Sequence, residues 1–594
     1  MDNIASIEKK VWLFKLISKL VIVLAVIFWV IGFVNMFLFS YVEAKPFYII
    51  ALILLIIGAI GYVGTRTLSC LIWHKYKQKL GIEKARKGKI KACITLGVSA
   101  SIVIALVIGV GAIKPSLGDM GNVVDMAVYA GLSFINPVKG KAKANKLLEK
   151  TDGFMEGICH VKNLNQAEVA SKANITWNRE DIGGSYTYNA ITKEVTPSQG
   201  FIDRLATWKQ IHDETGMKYF CVTPYPEDYS SMQIVGNSIS DNLNGVILKG
   251  LPQEECTDEK HVEINEEALG AVAKFFMKEM LGVVYAYQIS NELMGSRFRY
   301  NNMTMDEAAY FIGVQLKAMY EAREELVADG YEEARNVIIG YNVCDFTAPE
   351  FIKCMRPYNK ICDYVGLDLY IGCFEGIMKD IWYNEFMMRY IYEMTGKPTI
   401  MCEFGYIGEG TDKNDAEKDA LVLEKYGPEF KTVEDCKANT VGLLKHPNFK
   451  NSLRERIILV AQQNFNDTSI TIDNISQEQA YETLFGDNFR AEELQTHFYC
   501  VMNGDYEMTN YKHNREDQAR FFADVIPQIA NMPFTIGTFV YHFPESDECY
   551  FCGQGDCPIE CGWGIYRNVD GKEEYFPAYY AIQKAYGDLN QKKK

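Results

Sequence analysis

After residue 150, short apolar runs alternate with longer amphipathic stretches almost to the end of the chain. The apolar runs at 154–160, 174–178, 217–223, 283–289, 336–341, 364–370, 399–403 and 534–541 have the length and residue types of buried strands. Between them, 165–173, 200–215, 265–280, 304–329, 377–395 and 515–531 carry helical periodicity. In 265–280 the apolar positions Leu269, Val272, Phe275, Phe276 and Met280 fall on one face, as a helix packed on a sheet requires. Gly396 closes the helix before it as a natural C-cap. Eight strands separated by helices predict an α/β fold, a (β/α)8 TIM barrel over 151–590. A doubly wound open sheet is the competing arrangement, but no Gly-x-Gly-x-x-Gly opening or phosphate loop supports it. The region exceeds the ~250 residues of a minimal barrel. The surplus falls mainly at 224–265 and at 406–510, after the third and seventh strands. The second reads as an insertion with helices near 451–464 and 477–484, either a lid over the cleft or a peripheral packing module.

The first 115 residues follow a different pattern. Three long apolar stretches, about 12–39, 46–64 and 92–113, reach or approach the roughly 20 residues a helix needs to cross a bilayer. A cleaved signal peptide would account for only one of them. The linker 74–91 is strongly basic, and positive charge stays on the cytoplasmic side. The expectation is a membrane anchor at 1–115 with three transmembrane helices, then a juxtamembrane connector at 116–150. The barrel would then be extracytoplasmic on a multi-pass cell-membrane protein, with the lipid bilayer as a partner.

Charge sharpens this division. Of the formal −15, residues 1–150 hold 20 Lys and Arg against 7 Asp and Glu, and the remainder 41 against 69. An acidic body repels phosphates and excludes nucleic acid as a natural partner. Among 16 cysteines, Cys549, Cys552, Cys557 and Cys561 form a C-x2-C-x4-C-x3-C run. Zinc, two loop-stapling disulfides, or no special role all remain open for it, and an external location favours disulfides.

In a parallel barrel the C-terminal ends of the strands converge on one face. That rule gathers His160, Trp177, Arg179, Tyr225, Asn291, Glu292, Tyr370, Glu403, Tyr541 and His542. Paired carboxylates with a cation, an amide and aromatic faces are what cleavage of a glycosidic bond needs. Asp363 and Asp368 read as structural hydrogen-bond acceptors.

The order of these elements resembles the clan A, or 4/7, superfamily of retaining glycoside hydrolases. Asn291-Glu292 matches its acid/base motif after strand four. Glu403, in Pro398-Thr399-Ile400-Met401-Cys402-Glu403-Phe404-Gly405, matches its nucleophile after strand seven. Arg179 and Tyr370 match its arginine near strand two and tyrosine near strand six. The tail Gly562-Trp563-Gly564-Ile565 with Pro577-Ala578-Tyr579-Tyr580 resembles how such barrels close. The resemblance implies a retaining O-glycosyl hydrolase acting on a carbohydrate substrate, with Glu292 as acid/base and Glu403 as nucleophile. Asn291, Arg179, Tyr370, Trp177, Tyr541, Trp563, His160 and His542 would bind or position the sugar, and no cofactor or metal is assigned. A transglycosylase using the same residues, or a non-catalytic sugar-binding scaffold in a membrane complex, are the alternatives. The eighth strand ends in Tyr541-His542-Phe543, without the tryptophan many such enzymes carry there, so the stacking platform would move to Tyr541 or Trp563.

Overall fold

The computed structural model describes residues 12–14, 16–24, 27, 138–236, 248–250, 261–295, 303–344, 348–374, 379–409, 413–465, 467–487, 489–502 and 507–593. The chain divides into two compact units, Met1–Val123 with Ile377–Trp382, and Val124–Gly376 with Tyr383–Lys594.

The second unit holds a closed barrel of eight parallel strands. They are β1 (Met155–Cys159), β2 (Trp177–Asp181), β3 (Lys218–Val222), β4 (Val284–Gln288), β5 (Ile338–Cys344), β6 (Tyr364–Leu369), β7 (Thr399–Phe404) and β8 (Thr535–Val540). Each pairs with its sequence neighbours, and β8 returns to β1 with Met155 opposite Gly537. Burial on both faces explains why most of these strands read as continuous apolar runs rather than alternating ones. Helices on the outside complete the fold, and their starts are written locally. Asn265 accepts from the Ala268 N–H, Thr304 and Glu307 form a capping box, and Asn514 accepts from the Asp517 N–H. Inside the barrel, Met155, Phe220, Ile338, Tyr364, Ile400 and Phe539 form a continuous core.

One strand differs from expectation. The second runs Trp177–Asp181 rather than 174–178. Asn174 stands before it in a left-handed conformation, φ 60°. Asn178, Arg179 and Glu180 are all buried in the strand because each is paired, Arg179 inward with Glu403, Asn178 with the Val161 backbone and Glu180 with Lys162.

β7 carries an irregularity that bears on the site. Met401 pairs with Leu367 and Glu403 with Asp368, so Cys402 is an extra residue on β7. Such a bulge bends the strand and re-aims the side chain that follows it. Gly366 makes room for it, since a Cβ there would lie 2.3 Å from the Cys402 Sγ.

The insertion after β7 folds into helices Asp415–Tyr426, Val433–Ala438, Thr440–Lys445, Asn451–Asn464, Gln477–Phe485 and Phe489–Tyr499. They enclose a core of their own around Tyr426, Phe449, Leu453, Leu484 and Phe498, which also takes in Cys549, Cys552 and Cys557 from the loop after β8. The surplus at 224–265 contributes Leu248–Gly250 paired with Val262–Ile264, and Gln233–Val235, which joins Tyr186–Asn189 and Val195–Pro197 from after β2 in a second small sheet.

The expectation of three transmembrane helices is corrected. Among the described residues no helix is long and apolar enough to cross a membrane. The spans expected at 46–64 and 92–113 lie outside the described residues, and that at 12–39 is described only at 12–14, 16–24 and 27. An apolar run of spanning length is necessary for a crossing but not sufficient. The crossing needs one continuous helix that pairs all its backbone groups internally. The bilayer partner, the multi-pass membrane location and the extracytoplasmic orientation rested on those spans and fall with them.

Candidate active site

Arg179, projecting from β2, is 2% exposed and occupies the centre of the polar cluster at the barrel mouth. Its Nη1 donates to Glu403 Oε1 at 2.5 Å and its Nη2 to Asn291 Oδ1 at 2.9 Å. Nε and Nη2 also reach Gln288 Oε1 at 3.3 and 3.2 Å. The second oxygen of Glu403 accepts from the Tyr370 hydroxyl at 2.5 Å. Both carboxylate oxygens are therefore held, one by a cation and one by a phenol. Burial first, then the Glu403 charge, push the Tyr370 hydroxyl well above its usual range, so it remains a donor.

Asn291 has its orientation fixed by three donors. Its Oδ1 accepts from Arg179, from Gln288 Nε2 at 2.8 Å and from Asn342 Nδ2 at 2.7 Å. The amide N–H groups are the part left to meet a ligand. Asn342, at β5, also donates to Asp368 Oδ2 at 2.5 Å and accepts from the Glu292 N–H at 3.1 Å. The Thr223 hydroxyl accepts from the Ser290 N–H at 2.9 Å. Those two bonds restrain a sharp turn in which Ser290 and Glu292 both adopt left-handed backbone, φ 56° and 49°. Each such residue costs about 1–3 kcal/mol and persists where surrounding contacts over-determine it. The turn places Glu292, 7% exposed, just past β4, as Glu403, 8% exposed, stands near the end of β7.

Asp368 lies 3.9 Å from Arg179 Nη2. Burial and then the Glu403 charge raise its carboxyl well above the usual range, against the pull of Arg179. That favours the neutral acid and leaves the cluster with one cation facing one anion at its centre.

A second group lies beside β1 and β2. Glu180 accepts from Lys162 Nζ at 2.7 Å, with His160 Nδ1 at 3.4 Å. Burial alone would raise the Glu180 carboxyl, but His160 and Lys162 outweigh it and hold it at about 2. His160 meets Tyr541 and His542 edge-on at 5.5 and 6.0 Å. Burial, then the charges of His160 and Lys162, push the His542 ring down to about 3, so it is neutral.

The aromatics divide. Tyr370, Tyr541 and Trp563 meet edge-to-face with centroids 5.3–5.9 Å apart. Trp563 is fully buried, and its indole N–H donates to the Pro558 carbonyl at 2.7 Å. Phe374 stacks on it at 5.6 Å and is 38% exposed, so Phe374 carries this aromatic surface to solvent. Trp177 does not join the group. It begins β2, edge-on to Tyr285 and under the Lys218 ammonium, at the opposite end of the barrel.

The structure thus brings Arg179, Asn291, Tyr370 and Glu403 into direct contact, with His160, Tyr541, His542 and Trp563 alongside. Gln288, Asn342, Glu180 and Phe374 were not anticipated. Gln288 and Asn342 had a signal, each being a single amide in an otherwise apolar buried strand.

No protein-family model and no curated protein matches the chain. Solved structures of similar arrangement include the GH53 catalytic domain from Ignisphaera aggregans, at TM-score 0.38 and 12% identity over 73% of this chain and 96% of that one. A family 1 β-glucosidase from Thermotoga maritima gives 0.35 and 10% over 71% and 85%. A β-glucuronidase from an uncultured Clostridium species gives 0.36 and 12% over 73% and 50%. TM-scores this low leave the reading of the site to its own residues.

Proposed function

We propose that this barrel is a retaining glycoside hydrolase that cleaves a β-linked sugar, with Glu403 as nucleophile and Glu292 as acid/base. The observation that carries the reading is the double hold on Glu403, by Arg179 on one oxygen and Tyr370 on the other. A structural ion pair needs only the first. A carboxylate that must stay ionised, aligned and dry beside a second carboxyl benefits from both.

In the first step Glu292 gives its proton to the leaving oxygen. The Glu403 carboxylate attacks the anomeric carbon, and the bond to the aglycone breaks. In the second, Glu292, now a carboxylate, takes a proton from water. The water oxygen attacks the same carbon and frees Glu403. Arg179 and Tyr370 hold Glu403 while it is an anion and leave with it the less basic oxygens of the ester. Asn291, its carbonyl locked by three donors, presents N–H to the 2-hydroxyl of the sugar, a contact that strengthens as positive charge develops on the ring.

The transglycosylase and scaffold alternatives drew their motive from a membrane tether, and nothing among the described residues favours them. The test is a panel of 2-fluoro glycosides with activated leaving groups, followed by peptide mass spectrometry. The expected label is on Glu403, absent in Glu403→Gln. Labelling of a different residue overturns the assignment, as does undiminished turnover by Glu403→Gln.

A further inference from the structure

Away from the barrel mouth, helix Phe489–Tyr499 carries His497 in its last turn, and the loop after β8 brings Cys549, Cys552 and Cys557 against it. The four ligand atoms all lie within 4.8 Å of one another, and all four residues are buried. The His497 Nδ1 is 3.6 Å from both the Cys549 and Cys557 sulfurs. A tetrahedral zinc with Zn–S of about 2.3 Å and Zn–N of about 2.0–2.1 Å places its donor atoms ~3.5–3.8 Å apart. A disulfide requires about 2.05 Å between sulfurs, and these cysteines are free thiols.

From this geometry we propose that His497, Cys549, Cys552 and Cys557 hold a structural zinc ion that fastens the insertion to the loop after β8. Three thiolates and one neutral imidazole fill all four positions, so no place remains for water or substrate, which is the mark of a structural site. Cys500 is a neighbour rather than a ligand. Its sulfur is 4.0 Å from Cys552, and its thiol donates to the His497 carbonyl at 3.5 Å. Cys561 points elsewhere, its thiol donating to the Gln554 carbonyl at 3.6 Å. Three thiolates on one divalent ion leave a net charge of −1. Lys413 Nζ, 2.9 Å from the Cys500 carbonyl, and Lys450 Nζ, 3.5 Å from the Cys549 carbonyl, stand beside it, each also paired with a carboxylate, Asp556 at 2.8 Å and Glu548 at 3.5 Å. The loop continues from Cys557 through Pro558, whose carbonyl takes the Trp563 indole N–H, to Gly562, whose N–H donates to Glu545 at 2.6 Å. Zinc would therefore set the position of both the insertion and the aromatic wall that Trp563 backs.

Metal content of the full chain, purified without chelator and measured by mass spectrometry of the elements, tests this directly and needs no enzymatic activity. The expectation is one zinc per chain, released by a mercurial reagent as thiols titrate. Cobalt exchanged into the site should show the intense visible bands of a tetrahedral, thiolate-bound ion. Cys557→Ser and His497→Ala should lower the zinc content, while Cys500→Ser and Cys561→Ser keep it. Wild-type chain that is metal-free and takes up neither zinc nor cobalt after reduction overturns the proposal, whatever the variants do. So does a disulfide between any two of the three cysteines in the native protein. Loss of zinc from Cys500→Ser with retention in His497→Ala overturns the donor set.

Discussion

Replacing Arg179 with methionine removes the guanidinium that Glu403, Asn291 and Gln288 share. The volume is largely kept, so the loss is electrostatic. Stripping one partner from a buried ion pair costs roughly 3–5 kcal/mol, because the other charge is left without compensation. Unfolding entropy of about 2.1 cal/mol/K per residue, over the roughly 440 residues of the barrel region, gives about 0.9 kcal/mol/K, so the melting temperature should fall by about 3–5 °C at neutral pH. The sign of the pH dependence follows from linkage. The Asp368 carboxyl, already raised by burial and by the Glu403 charge, loses with Arg179 the charge that pulls it down, and rises further. A group so raised favours the fold below its unfolded pKa, near 4, and loses that contribution as pH rises through the folded value. The deficit of the variant should thus widen as pH rises through the folded value and narrow as pH falls toward about 4. Scanning fluorimetry of both proteins at several pH values reads this out without any substrate. A deficit that is flat with pH, or absent, refutes the idea that the Arg179 charge holds the Asp368 carboxyl down.

Three other changes test separate parts of the account. Tyr370→Phe removes one hydrogen bond to a charged group, worth about 1.5–3 kcal/mol. On an aryl glycoside that the chain turns over, kcat/KM should fall about 10- to 150-fold, and the melting temperature by about 2–3 °C. Gly366→Ala drives a methyl into the Cys402 sulfur, and overpacking of this kind costs about 1–3 kcal/mol; adding Cys402→Ala should restore part of the lost melting temperature. Glu180→Gln should remove a contribution of up to about 3 kcal/mol from the depressed carboxyl, less the screening at half-exposed Lys162. That contribution is present above about pH 4.5 and lost as pH falls toward 2. The two melting curves should accordingly converge in acid, and parallel curves would count against the Lys162–Glu180 pair.

The barrel was legible because its strands are buried on both faces and separated by well-capped helices. Seven of the expected strands overlap the observed ones closely. β2 was displaced, since Asn178, Arg179 and Glu180 carry polarity into a strand interior, where an apolar pattern gives no guide. Gln288 and Asn342 each left a mark as a lone amide in an apolar strand, but their partners, Arg179 and Asn291 among them, became evident only in the fold. Glu403 and Tyr370 were legible by position, whereas the bulge at Cys402 that aims Glu403 leaves no local mark. The three spans expected before residue 115 rested on length and hydropathy alone, and among the described residues no helix is long and apolar enough to cross a membrane. His497 could not have been found, since only folding brings that helix end beside a loop that follows another strand.

The shared core of the insertion has a consequence for how the chain assembles. Tyr426, Phe449 and Phe498 pack with Cys549 and Cys552, and those cysteines emerge from the ribosome only after β8. The insertion therefore cannot complete its interior as an autonomous early-folding piece. It waits for the last strand of the barrel, which pairs with β7 and with β1, the first. Such long-range dependence slows folding and leaves thiols exposed in the nascent chain. Excising the insertion, or transplanting it to another scaffold, would cut through its hydrophobic centre rather than around it.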